Sequence, residues 1–119
     1  SVASRGLGDV YKRQFLDSFP FNAGTTANDA LWMGLPLLTL TGRSFASRMA
    51  GALLTAAKME SLITYNLKDY EEKAVTLAND PAEMARLRAH LQTVRSDGVL
   101  FNTSRFVRNL EERLLPLVT

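Results

Sequence analysis

Residues 15–40 read FLDSFPFNAGTTANDALWMGLPLLTL, and their punctuation decides the fold. Phe15-Leu16 is the end of a strand that stops at Asp17, and Ser18 to Gly24 is a loop carrying Pro20, Asn22 and Gly24. A helix is predicted from about Thr26 to Met33, stopped by Gly34 and Pro36. Leu37-Leu38-Thr39-Leu40 is then a short apolar run without alternation, the pattern of a strand covered on both faces of a parallel sheet. Strand, helix and strand in so short a span make a βαβ unit with the helix as crossover.

Downstream the pattern turns helical. A second helix is predicted from about Phe45 to Lys58 with Ser44 as N-cap; its Ala46, Ala50, Gly51, Ala52, Ala56 and Ala57 leave little bulk, so it packs closely on a neighbour. Ser61-Leu62-Ile63-Thr64 reads as one more short strand. A third helix starts near Leu67 under an Asn66 cap, with Tyr70, Ala74 and Leu77 on one face. Asp80-Pro81-Ala82-Glu83 opens a fourth with a cap, proline at the first position and an acid at the third, and Met84, Leu87, Leu91 and Val94 form its apolar stripe. Gly98 ends that segment. The last helix, from about Thr103, is expected to bury Phe106, Leu110, Leu114 and Val118. No 34-residue period recurs, which excludes an α-solenoid. The class is α/β, with a mainly helical C-terminal segment.

The chain has 119 residues, 14 Lys and Arg against 12 Asp and Glu, and no cysteine, so thiolate chemistry and a disulfide framework are excluded. Residues 1–14 (SVASRGLGDVYKRQ) have no apolar period and hold the whole net charge of +2, so the body over 15–119 is neutral and nucleic acid is not an expected partner. Those fourteen residues read as a non-native or disordered tail. No apolar run approaches the ~20 residues of a membrane span, and no secretory leader is visible, so the expected location is cytoplasmic. His90 flanks an apolar stripe without a second histidine or an acid pair and reads as a surface residue. Ser44, Ser47 and Ser61 lack a nucleophile elbow, which disfavours hydrolase chemistry.

The stretch with chemical content is Asn22-Ala23-Gly24-Thr25-Thr26-Ala27-Asn28-Asp29. It puts small residues and hydroxyls where a loop enters a helix, and free N–H groups and the positive end of the helix dipole converge there, as a phosphate requires. Gly24 lets the backbone approach closely, Thr25 and Thr26 can donate to phosphate oxygens, and Asp29 can accept from both hydroxyls of a ribose. Thr26-x-x-Asp29 is equally a capping box that does no more than start a helix, and both readings stand at this level.

These residues also carry a family resemblance. Leu16-Asp17-Ser18, then Asn22-x-Gly24-Thr25-Thr26-x-x-Asp29-x-Leu31-Trp32-x-Gly34-x-Pro36, then Gly42-Arg43-Ser44-Phe45-Ala46-Ser47-Arg48, and finally Leu100-Phe101-Asn102 resemble the C-terminal catalytic half of O-linked N-acetylglucosamine transferases, including bacterial tetratricopeptide-linked and SPINDLY-like members. The resemblance runs over about residues 15–116. It implies part of a Rossmann-like half-domain of a GT-B glycosyltransferase, a UDP-sugar or related donor, and a Ser or Thr of a protein as acceptor. It implies that Gly24, Thr25 and Thr26 bind the diphosphate and Asp29 the ribose, without a metal ion or other cofactor. Gly24 stands where animal members have histidine, and Thr41 where many have proline. Arg43 and Arg48 are candidate phosphate ligands, Arg48 equally a partner for a core carboxylate, and neither is assigned to the site.

The family's remaining active-site groups lie upstream of the matched region. The expectation is therefore a fragment inactive alone, with no catalytic residue of its own, whose partners are a nucleotide sugar, a protein acceptor and an upstream half of the same enzyme preceded by tetratricopeptide repeats. Alternatives are a GDP-fucose- or UDP-glucose-dependent transferase of the same fold and a non-catalytic helical interaction module.

Overall fold

The computed structural model describes residues 14–118. The βαβ unit is present. Strand β1 (Phe15–Leu16) pairs parallel with β2 (Leu37–Leu40), Phe15 opposite Leu37 and Leu16 opposite Leu38, and helix α1 (Thr25–Trp32) connects them. β2 also pairs parallel with β3 (Ile63–Thr64), Thr39 opposite Ile63 and Leu40 opposite Thr64, which puts β2 at the centre of the order β1-β2-β3. All four residues of β2 are buried, hence its unalternating sequence.

Helix α2 (Met49–Ala56), a 3₁₀ turn at Glu60–Leu62, and helices α3 (Leu67–Ala78), α4 (Pro81–Asp97) and α5 (Thr103–Val118) complete the molecule. One core joins Ala27 and Leu31 of α1, Leu37 and Leu38 of β2, Ala50 and Leu54 of α2, Leu77 of α3 and the predicted stripe of α4, Met84, Leu87, Leu91 and Val94. Both predicted caps form. Asn66 Oδ1 accepts from the Asp69 amide at 2.8 Å and Asp80 Oδ1 from the Glu83 amide at 3.1 Å, each a contribution of about 1 kcal/mol to its helix.

Four expectations change. α2 starts at Met49 rather than Phe45, because Ser44 does not cap it: Ser44 Oγ donates to Ser47 Oγ at 2.9 Å, Ser47 Oγ donates to the Ser44 carbonyl at 3.0 Å, and residues 45–48 bend around this pair. The strand predicted over Ser61–Thr64 is divided between the 3₁₀ turn and β3. His90 is half-buried rather than on the surface, its Nε2 donating to the Ala57 carbonyl at 2.8 Å. Finally, α5 buries nothing: Phe106, Leu110, Leu114 and Val118 are all exposed. The tail expected over residues 1–14 lies outside the described residues except for Gln14, whose Nε2 donates to the Ala74 carbonyl at 3.1 Å. No helix among the described residues is long and apolar enough to cross a membrane.

Candidate functional site

The loop that leads into α1 is held by one buried carboxylate. Asp17 Oδ1 accepts from the amides of Ser18 at 2.9 Å and Ala23 at 2.8 Å, so both ends of the loop converge on it. Its Oδ2 accepts from the Thr39 hydroxyl at 2.8 Å, which ties the loop to the central strand. The loop also contains a cis Phe19–Pro20 peptide. Asn22, fully buried, closes the other side: its Nδ2 donates to the Ser18 carbonyl at 2.9 Å, its Oδ1 accepts from the Ala50 amide at 3.3 Å, and its own amide donates to the Ala46 carbonyl at 2.9 Å. The loop is thereby fixed to β2 and α2 before Gly24 is reached. From α3, Tyr70 donates its hydroxyl to the Asp17 carbonyl at 2.8 Å. Burial, and then the Asp17 charge, hold the Tyr70 phenol above its ordinary pKa of 10.0.

At the start of α1 the capping-box alternative fails. Gly24 is the N-cap, and no side chain caps the helix; Thr25 and Thr26 are its first two residues. The first helical bond runs from the Asn28 amide to the Gly24 carbonyl at 2.9 Å. Among the described residues the amides of Thr25, Thr26 and Ala27 have no backbone acceptor, leaving them as the unpaired donors of a helix start. Thr25, Thr26 and Asp29 are exposed. Asp29 stands four residues after Thr25 and three after Thr26, so the three share one side of the helix.

Gly24 and Thr25 open onto a cavity of about 660 Å³, with Phe45, Arg48, Met49 and Leu53 among its other walls. Thr26 and Asp29 are not part of that wall. A Cβ on Gly24 would stand 3.0 Å from Met49 Cε, so the methionine methyl fills the space that a side chain at position 24 would take. Arg48 lines the cavity; its Nε approaches the Gly42 carbonyl at 3.4 Å, and among the described residues it has no carboxylate partner. That removes the core-carboxylate reading of Arg48 and leaves a cation beside the helix start. Arg43 is exposed and is not part of the cavity wall. Asp17 and Ser47 had no assigned role in the sequence reading; the signal for Asp17 was an acid placed directly after an apolar strand end.

Comparison with known proteins agrees with this architecture. A glycosyl transferase family 41 model matches residues 7–110. The probable UDP-N-acetylglucosamine–peptide N-acetylglucosaminyltransferase SEC of Arabidopsis thaliana is 40% identical over 106 residues, 88% of this chain and 10% of the relative. The probable enzyme of the same name, SPINDLY, of Solanum lycopersicum is 34% identical over 96 residues, 81% of this chain and 10% of the relative. An O-GlcNAc transferase mutant of Thermobaculum terrenum superposes with a TM-score of 0.72 at 30% identity, over 90% of this chain and 22% of that one. The chain thus spans about a tenth of the length of these sequence relatives. Its small parallel sheet and flanking helices are part of the Rossmann-like half of a GT-B fold. With a family match over most of its residues, the chain belongs to glycosyl transferase family 41.

Proposed function

We propose that this chain is the nucleotide-sugar-binding portion of a protein O-glycosyltransferase that moves N-acetylglucosamine from its UDP donor to a Ser or Thr hydroxyl of a protein. The observation that carries the reading is the set of unpaired donors at the start of α1, the Thr25, Thr26 and Ala27 amides, on a loop locked by Asp17 and Asn22. The diphosphate lies against those amides and the Thr25 and Thr26 hydroxyls, with Gly24 giving close approach and Arg48 adding a full positive charge from the cavity wall. Asp29 accepts from the ribose hydroxyls. Transfer leaves a nucleoside diphosphate whose developing charge these fixed donors stabilise, without a metal ion. The donor named by the relatives, UDP-N-acetylglucosamine, is preferred over GDP-fucose or UDP-glucose for that reason. The setting is cytoplasmic, and the chain, about a tenth of the length of its sequence relatives, does not turn over alone.

Calorimetric titration with UDP tests the reading. UDP binds the wild-type chain, EDTA does not change the affinity, and Thr25→Val with Thr26→Val together weaken it about tenfold or more by removing two hydrogen bonds to a charged ligand. Equal affinity in the double variant would refute the assignment of these hydroxyls.

A further inference from the structure

A second cavity, of about 420 Å³, lies at the opposite end of α1, between its last turn and α4. The eight residues of α1 separate it from the Thr25 end by roughly 12 Å. Trp32, Met33 and Gly34 form one wall, and Arg88, Gln92 and Arg95 the other. The latter three recur at i, i+4 and i+7 on one stripe of α4, with roughly 10 Å between the arginine backbones.

This wall is held in place. The Arg95 guanidinium sits 5.4 Å from the centroid of the Trp32 ring, and its Nη1 donates to the Trp32 carbonyl at 3.3 Å. Trp32 in turn meets Phe101 edge-on, with ring centroids 5.0 Å apart. Among the described residues neither Arg88 nor Arg95 has a carboxylate within 4.0 Å. Trp32 is 47% and Met33 76% exposed, so apolar surface lies open beside the two unpaired cations.

Tryptophan, methionine and arginine are the residues enriched where proteins bind other chains. The two charges do not converge on one point, as they would around a phosphate; they stand apart with apolar surface alongside. An extended peptide advances roughly 3.3 Å per residue and turns every second side chain to the same face, so carboxylates four positions apart stand about 13 Å apart on one face, within reach of the two long arginine side chains, while the apolar residue midway between them faces Trp32 and Met33. The C-terminal carbonyls of α1 oppose an anion here, but the one on Trp32 is already bonded to Arg95. We propose that this cavity is a docking site for an extended acidic peptide segment in which two carboxylates flank an apolar residue. The site shares no residue with the Gly24–Asp29 region and does not depend on the reading of that region.

Trp32 is the only tryptophan in the chain, which makes its fluorescence a reporter of the site. The full chain is titrated with a capped five-residue peptide that has a glutamate at each end and a leucine in the middle, with amide NMR shifts as a second readout. The expected result is a saturable change in emission and in the amides of residues 32–34 and 88–95. Binding weakens as salt is raised, disappears when both glutamates are replaced by glutamine, and weakens about tenfold in Arg88→Glu. Arg88 makes no hydrogen bond among the described residues, so this variant keeps the Arg95–Trp32 contact; Gln92→Glu, which adds a negative charge midway, has the same sign of effect. Absence of saturable binding to the folded chain, equal binding of the glutamine peptide, or unchanged binding in both variants would overturn the proposal.

Discussion

Asp17 organises the candidate site without belonging to its surface. It is 6% exposed and accepts three hydrogen bonds, so Asp17→Ala would strand two loop amides and the Thr39 hydroxyl. The expected loss is about 3 kcal/mol or more in chemical denaturation, together with broadened amide signals over residues 18–24. Asp17→Asn is expected to cost only about 1 kcal/mol, because its carbonyl can keep both amides while the Thr39 hydroxyl rotates to accept from the new amide group. Tyr70 supplies a pH test. Its phenol holds the proton more tightly folded than unfolded, so its contribution is complete below the unfolded pKa near 10.0 and is lost as pH rises toward the higher folded value. Thermal stability followed from neutral to strongly alkaline pH should fall less steeply in Tyr70→Phe than in wild type; identical slopes would contradict this. At this scale the sequence was partly legible. The helix start beside Thr25 and Thr26 is legible because helix starts are read locally, whereas the Asp17–Thr39 bond joins residues 22 apart and leaves no local mark.

At the scale of elements, legibility followed the caps. α3 and α4 begin where Asn66 and Asp80 bond their third amides, and these starts were readable from residue type alone. α2 was misplaced because serine side chains offer the backbone an alternative to helix, and the Ser44–Ser47 pair takes it. β3 is only two residues long and draws its identity from pairing with β2, which no periodicity records. Two substitutions test the element boundaries. Gly34 follows α1 with φ at +86°, a conformation other residues resist, so Gly34→Ala should cost about 1 kcal/mol although nothing stands near the added methyl. Leu91→Ala, in the buried stripe of α4, should cost about 2–5 kcal/mol by opening a cavity in the shared core. A loss at Gly34 as large as that at Leu91 would mean that the α1–β2 turn is packed rather than conformationally selected.

The molecule as a whole is a packed α/β body over residues 15–101 from which α5 extends with an apolar face turned to solvent. The sequence pattern of α5 is that of a helix with a buried stripe, yet Phe106, Leu110 and Leu114 stand 61%, 44% and 50% exposed. Periodicity shows that a face is apolar but not what covers it. A chain ending at Asn102 keeps Phe101 against Trp32 and loses no buried residue, so its stability should stay within about 0.5 kcal/mol of the parent. A drop of several kcal/mol in urea denaturation would show packing of α5 on the body. The central claim is that the start of α1 receives the diphosphate of a nucleotide sugar and Asp29 its ribose. NMR titration of the folded chain with UDP and, separately, with pyrophosphate tests it most directly. Both ligands should shift the amides of Gly24 to Ala27, and Asp29→Asn should weaken UDP while leaving pyrophosphate unchanged. Amides of residues 24–27 that stay fixed under saturating UDP, or an Asp29→Asn variant that binds UDP as tightly as wild type, would contradict it.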